Sequence, residues 1–304
     1  MGTPAFAVPS LISMLQHGED VVAVICQPDR PSGRGRKLTA PPVKLAAQEA
    51  GIPLLQPKAI KTDAFLNELR SWRPDLIVVT AYGRILPESI ISLPVHGTIN
   101  VHASLLPKYR GAAPIQWAII NGEKETGVTI MQMDAGLDTG DILLPGAIPI
   151  AEDDTAGSLA VKLSRLGGKL LVESLERIRN GSLQPRRQDD SLATMAPLLK
   201  KEDGKIDWHL PAAKISCLIR GLDPWPSAYT FLNKERFRIF RPVVIEKDHE
   251  EPPGTIVQAG RDGIVIAAGE NLLSVTEIQK EGNRRMPVRD FLAGNSLEEG
   301  SVLG

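Results

Sequence analysis

Asn100 and His102 stand two residues apart in the run Thr98-Ile99-Asn100-Val101-His102. In a β-strand, side chains at i and i+2 share a face. If residues 98–101 form a strand, a carboxamide and an imidazole project together at its C-terminal end. Ligands of open α/β sheets bind outside that end of the strands. Two donors side by side there suit an oxygen that gains negative charge during a reaction. A polar strand end that merely caps a turn has the same spacing, so spacing alone leaves both readings open.

A second cluster lies in Asp134-Ala135-Gly136-Leu137-Asp138-Thr139-Gly140-Asp141, which puts three carboxylates in a Gly-punctuated loop. It reads as a general base or a group that fixes a histidine, as an oxygen-ligand cation site, or as a turn whose Asp and Gly residues satisfy local backbone groups. The spacing is not that of a calcium-binding helix–loop–helix, and the chain lacks the spaced Cys and His ligands of a zinc site. The cation reading is therefore the weakest of the three. Of the five histidines, only His102 has an evident neighbour; His17, His96, His209 and His249 read as surface or loop residues.

Two loops are also candidates. Residues 104–111, Ser-Leu-Leu-Pro-Lys-Tyr-Arg-Gly, make a Pro- and Gly-containing turn beside Asn100 and His102, either a pocket mouth or a solvated loop. Residues 28–37, Pro-Asp-Arg-Pro-Ser-Gly-Arg-Gly-Arg-Lys, carry four cations and almost nothing apolar. Glycines let a backbone approach a partner closely and arginines suit phosphate, while a flexible charged loop has the same composition.

The elements that must position these residues alternate. Apolar β-branched runs at 21–26, 75–81 and 98–101 read as buried strands. Helices are predicted at 5–16, 43–50, 63–72 (capped by Thr62), 114–121 and 156–180 (Thr155 as N-cap, Gly181 past the end). Strands at 127–133 and 142–150 flank the Asp/Gly loop. The alternation predicts an α/β domain with a Rossmann-like, mostly parallel sheet over residues 1–182. Residues 183–203 read as a linker across an exposed surface. In 204–304 a helix at 212–220 precedes short strands at 228–232, 237–244, 254–257, 263–268 and 272–278, which predict a small OB-like β-barrel. Residues past 295 read as a frayed tail.

The whole chain limits the function classes. Its 304 residues suit about two domains, and 42% hydrophobic with 23% charged residues is ordinary for a globular protein. No apolar run is long enough for a membrane span. The first residues lack the charged and apolar regions of a signal peptide. Cys26 and Cys217 suggest no disulfide framework, and a reducing cytoplasm is expected. A net charge of −1 argues against a uniformly basic nucleic-acid binder but not against a local basic patch.

Taken together, Gly2-Thr3-Pro4, Gln27-Pro28-Asp29-Arg30, Ala81-Tyr82-Gly83, the run from Asn100 to Pro107, Tyr109-Arg110-Gly111-Ala112-Ala113-Pro114-Ile115-Gln116 and the run from Gly136 to Asp141 resemble the folate-dependent formyltransferases. The likeness covers essentially the whole chain. The basic loop, Met131-Gln132-Met133-Asp134 and Asp223-Pro224-Trp225-Pro226 are similar to members that act on the methionine of initiator tRNA. The resemblance implies formyl transfer from 10-formyltetrahydrofolate to the α-amino group of Met-tRNA, with no metal. Asn100 and His102 match the pair that stabilises the carbonyl oxygen, and Asp138 the carboxylate that orients His102 and helps remove the amine proton. Ser104, Leu105, Leu106 and Pro107 match a folate site, with Tyr82 and Gly83 expected to help form it. Arg34, with Arg36 and Lys37 in support, matches a segment that enters the tRNA acceptor end, and the C-terminal domain would grip the acceptor arm. A monomer is expected. Members usually carry a short apolar strand before the Gly2-Thr3-Pro4 turn; here the expectation is a natural start several residues earlier.

Rival readings are formyl transfer to glycinamide ribonucleotide or an amino sugar, hydrolysis of the same folate, and a catalytically silent tRNA binder. A small amine needs neither the basic loop nor the second domain.

Overall fold

The structure is a computed structural model that describes residues 1–32 and 37–304. The chain forms two compact units, each assembled from separated stretches. The first comprises Met1–Gly111, Thr126–Ile148 and Ala160–Ala196; the second comprises Ala112–Glu125, Pro149–Leu159 and Pro197–Gly304. Packing therefore follows a different division from chain order at 182 and 204. The helix Pro114–Ile120 belongs to the second unit, where Ala113, Trp117 and Ile120 join its core. Residues 183–196 belong to the first.

In the first unit, Val24–Ile25 pairs in parallel with Leu54–Leu55. A separate four-stranded sheet runs in the order Ile77–Val79, Thr98–His102, Glu125–Gln132, Ile142–Pro149. Ile77 pairs with Thr98 and Val79 with Asn100 in parallel. Thr98–His102 meets Glu125–Gln132 antiparallel, with Asn100 opposite Met131 and His102 opposite Thr129. Ile99 and Val101 are buried, which anchors this strand and leaves its alternate residues to the other face. Thr62 caps Asp63–Ser71 as predicted, its side chain accepting from the Phe65 N–H. The 24-residue helix Ala156–Arg179 begins after Thr155, whose hydroxyl accepts from the Ser158 N–H. Among the described residues no helix is long and apolar enough to cross a membrane.

Met1 and Gly2 join the two sheets just described. The Met1 amine donates to the Val78 carbonyl at 2.5 Å, Thr80 N–H donates to Met1 O, and Gly2 N–H donates to Ile25 O. Beside them lies a cavity of about 310 Å³ lined by residues that include Val21, Val24, Ile25, Trp72, Ile77 and Val78. Burial lowers the pKa of the Met1 amine to about 5, with Cys26 opposing weakly.

The second unit curls a six-stranded antiparallel sheet into a half-barrel. Its order is Tyr229–Leu232, Glu235–Ile245, Leu272–Lys280, Gly263–Ala267, Ile256–Gly260, with Met286–Pro287 added to Leu272–Lys280. The helix Ala212–Gly221 buries Ile215 and Ile219 against Ile239, Ile266, Leu273 and Val275. Trp208 reaches this core and satisfies its indole N–H on Thr230.

Two expectations are corrected. Residues 300–304 are docked and not frayed. Leu303 is buried, Val302 bridges Thr255, and Gly304 exchanges both backbone hydrogen bonds with Phe231. A lone Val-Leu pair between Ser301 and Gly304 gives no periodic signal, yet Leu303 closes this core. The supposed linker is likewise fixed: Arg186 bridges Ile142, and Met195–Ala196 pairs in parallel with Arg110–Gly111.

Two predictions follow from the packing. Leu303→Ala should lower stability by about 2–4 kcal/mol, read as a fall in urea midpoint; an unchanged midpoint would restore the frayed tail. In a chain whose first residue is Met1, the unfolded amine holds its proton up to about pH 8 while the folded one sheds it above about pH 5. Stability should therefore rise with pH across that window, by at most about 1.4 kcal/mol per unit, and be lost as pH falls. Urea melts at several pH values in this range test it, and pH-independent midpoints would contradict it.

Candidate active site

The strand Thr98–His102 delivers both polar side chains to one place. Asn100 is half-buried and His102 buried. The loop between Glu125–Gln132 and Ile142–Pro149 brings Asp138 to them. Asn100 Nδ2 lies 3.4 Å from Asp138 Oδ1, and His102 Nδ1 lies 3.6 Å from Asp138 Oδ2. A shorter bond secures the carboxylate: the Gly111 N–H donates to Oδ2 at 2.9 Å. Two of the three converging groups thus come from one strand, two residues apart, and the Asp/Gly loop supplies the third.

Loop geometry explains the residue types. Asp138 sits at φ +54°, in the left-handed region that aspartate tolerates better than most residues. A Cβ on Gly140 would stand 1.8 Å from the Gln132 carbonyl oxygen, so only glycine allows the loop to return so closely. Asp134 has the turn role weighed for the cluster, accepting from the Gly136 N–H and the Thr139 hydroxyl. Among the described residues, no group of His, Cys, Asp and Glu is arranged to hold a metal ion.

His102 is oriented from its other side as well. Its Nε2 is 3.0 Å from the Tyr109 carbonyl oxygen. A carbonyl only accepts, so Nε2 carries the hydrogen and Nδ1 faces the Asp138 carboxylate. For His102 to donate from Nδ1 it must hold a second proton. The contacts at 3.4 and 3.6 Å are too long to be committed hydrogen bonds. An oxygen entering here can therefore compete for both groups.

The other expected residues divide. Ser104 donates to the Lys108 carbonyl, and its own carbonyl accepts from the Thr129 hydroxyl, which also receives the Leu106 N–H. This network shapes the turn carrying Leu105 and Pro107 next to His102. Leu106 packs on Met131 and Ile142. Tyr82 is not displayed to a ligand: its ring is 1% exposed, among Ile25, Phe65, Ile77 and Val79. The turn at Ala81 (φ +48°) sends the ring inward, leaving Gly83 at the surface. The Gln27 side chain bonds the Tyr82 and Gly83 carbonyls.

In the basic loop, Arg30–Ser32 and Lys37–Thr39 form an antiparallel hairpin. Arg34 and Arg36 lie outside the described residues, as does the Lys37 side chain. The base of the hairpin is pinned by Asp29, which accepts from Lys44 and Gln56. These bonds, Lys44 first, hold its carboxyl below the usual range against a small opposing desolvation. Arg30 donates to Gln27.

Arg110, expected at a pocket mouth, turns inward. It is buried, and its guanidinium bonds Gln188 and Asp190. Gln188 was missed because a lone glutamine in a Pro- and Arg-rich run shows no period and no motif. Three of the four histidines left without neighbours in the sequence have side-chain partners: His17 bonds Glu19 and Glu176, His209 bonds Asp207, and His249 bonds the Asn271 carbonyl.

The fold comprises an α/β unit with a polar centre at a strand end and a second unit built on an antiparallel sheet, and comparison with known proteins specifies the family. Residues 2–175 match the model described as Formyl transferase and residues 198–296 match Formyl transferase, C-terminal domain; the chain belongs to the formyl transferase family. A protein of Desulfotalea psychrophila named methionyl-tRNA formyltransferase is 54% identical over 303 residues, covering 100% of this chain and 94% of that protein. One of the same name from Caldanaerobacter subterraneus is 52% identical over 304 residues, covering 100% and 98%. Among solved structures, the fold is similar to an N-formyltransferase from Helicobacter canadensis in complex with folinic acid and dTDP-3-aminofucose. The TM-score is 0.66 at 21% identity, over 92% of this chain and 97% of that one. It is also similar to HypX from Aquifex aeolicus in complex with tetrahydrofolic acid, with a TM-score of 0.61 at 18% identity, over 81% and 43%.

Proposed function

We propose that this chain transfers the formyl group of 10-formyltetrahydrofolate to the α-amino group of methionine on initiator tRNA, yielding N-formylmethionyl-tRNA. The observation that carries the reading is the convergence of Asn100, His102 and Asp138. Relatives at about half identity over the whole chain, named for this reaction, support the substrate pair. The likeness to a sugar N-formyltransferase rests on 21% identity and speaks for the fold alone.

The chemistry follows from the donor set. The amine nitrogen bonds to the formyl carbon while the carbonyl π pair moves onto oxygen. Asn100 Nδ2 and a doubly protonated His102 offer hydrogens to that oxyanion. Asp138 fixes the imidazole and takes up the amine proton, directly or through water. When the oxygen pair returns, the carbon–N10 bond breaks, N10 is protonated, and tetrahydrofolate leaves. In the turn of Ser104, Leu105, Leu106 and Pro107, the half-buried Leu105 and Pro107 form the folate wall and the buried Ser104 and Leu106 hold it in shape, with Gly83 and the backbone of Tyr82 beyond it. Its ring belongs to the core.

In chain order, 1–182 carries catalysis and 204–304 holds the acceptor arm, while 183–203 runs between them with its stretch 183–196 packed in the first unit. Arg34, Arg36 and Lys37 contact tRNA phosphate. Several arginines of the second unit are already ion-paired, including Arg236 with Glu281 and Arg285 with Glu277. The basic hairpin thus takes the larger share of tRNA contact in this reading. We place the protein in the cytoplasm as a monomer.

Incubation of the purified protein with 10-formyltetrahydrofolate and Met-tRNA should block the methionine amine; a free amine after long incubation refutes the reading. Asn100→Ala should cost about 100- to 1,000-fold in kcat, and Asp138→Ala should cut transfer at least as deeply while leaving a measurable residual rate, with tRNA binding nearly unchanged in both. Loss of tRNA binding in either folded variant would contradict the assigned roles. Arg34→Ala should raise KM for tRNA or lower kcat with tRNA while sparing folate binding. Unchanged tRNA kinetics would remove the hairpin from the interface.

A further inference from the structure

The amide of Gln188 uses both its atoms twice. Its Nε2 donates to the Asp138 carbonyl at 2.8 Å and to the Gly140 carbonyl at 2.7 Å. Its Oε1 accepts from Arg110 Nε at 3.0 Å and Nη2 at 2.8 Å. Gln188 is 6% exposed, and Arg110 is equally enclosed. One side chain thus ties the backbone of the Asp138 loop to the residue preceding Gly111, whose N–H holds the Asp138 carboxylate. A buried amide with every strong bond made is a rigid spacer. Here it spans the two pieces of chain whose separation sets where the carboxylate stands.

We propose that Gln188 is a positioning residue for formyl transfer. With Arg110, it fixes Asp138 against Asn100 and His102 without touching substrate. The inference rests on the role proposed above for Asp138. Two features of the surroundings support a positional role over a general packing one. Asp138 holds a left-handed backbone conformation, which persists only where neighbours over-determine it, and Gln188 bonds the carbonyl of that very residue. Arg110 has a second partner in Asp190, but that carboxylate is exposed at 73%. Gln188 is accordingly the buried acceptor that keeps the guanidinium inward.

The side-chain chemistry predicts which replacements fail. Gln188→Met keeps the length and removes all four bonds. Gln188→Glu keeps an acceptor for Arg110 but aims a second carboxylate oxygen at the Asp138 and Gly140 carbonyls, where a donor stood. Both should release the loop. A displacement of about 1 Å at a reacting group costs on the order of 100-fold.

The test is a double-mutant cycle in formyl transfer, with the folded state of each variant checked by circular dichroism. Gln188→Met and Gln188→Glu should each lower kcat about 10- to 100-fold and shift the pH dependence of kcat. KM for tRNA and for the folate should stay within about threefold of the parent, on the ordinary scale of surface changes. In an Asp138→Ala background, Gln188→Met should cost almost nothing more, because residues acting as a unit are non-additive. An undiminished kcat, a rise in KM alone, or a full additive loss in the Asp138→Ala background overturns the proposal. If Gln188→Met does not fold, Gln188→Glu decides by the same criteria. Asp138→Ala retaining full activity would instead refute the role of Asp138, which separates that failure from this one.

Discussion

Asp138 accepts the Gly111 N–H at 2.9 Å, while Asn100 Nδ2 and His102 Nδ1 stand 3.4 and 3.6 Å from its two oxygens. One firm bond and two loose ones make an unequal set. The backbone amide costs no side-chain entropy and holds the carboxylate in place. The Asn100 amide and the Nδ1 edge of the imidazole, whose ring is held through Nε2 by the Tyr109 carbonyl, make no committed bond there and can serve an incoming oxygen. A carboxylate locked by all three would leave nothing for the substrate, and one held by none would drift in its Gly-rich loop. In this account the chemistry depends on that inequality.

The rest of the first unit serves that arrangement. Ile99 and Val101 bury one face of the strand, so Asn100 and His102 cannot slip register without exposing both. The Tyr109 carbonyl fixes which ring nitrogen of His102 carries its hydrogen. Met195–Ala196 pairs with Arg110–Gly111, and a Cβ at Gly111 would lie 2.7 Å from the Ala196 carbonyl oxygen. The chain after the long helix Ala156–Arg179 is therefore part of the site's frame and not a tether.

What the sequence revealed was local. The Asn–His spacing, the Thr62 and Thr155 caps and the Asp/Gly loop each carry their signal within a few residues; the structure shows both caps and sets Asn100, His102 and Asp138 beside one another. What it hid depends on contacts between distant residues. Gln188 bonds residues 48, 50 and 78 positions away, and no pattern around it marks such partners. Leu303 reaches a core at the end of a mostly polar, Gly-containing tail. Tyr82 shows why position in a motif is an incomplete guide: the residue lies where folate-site residues were expected, but the turn at Ala81 sends its ring into the core. The Asp cluster admitted three readings because Asp134 and Asp138 look alike in sequence. Only the fold gives one a turn and the other a histidine.

A crystal structure with a non-transferable formyl-folate analogue tests the central claim most directly. The account predicts the formyl oxygen at about 3 Å from Asn100 Nδ2 and His102 Nδ1, with Asp138 still bonded to the Gly111 N–H. A formyl group bound elsewhere, with Asn100 and His102 both turned away from it, would contradict the account.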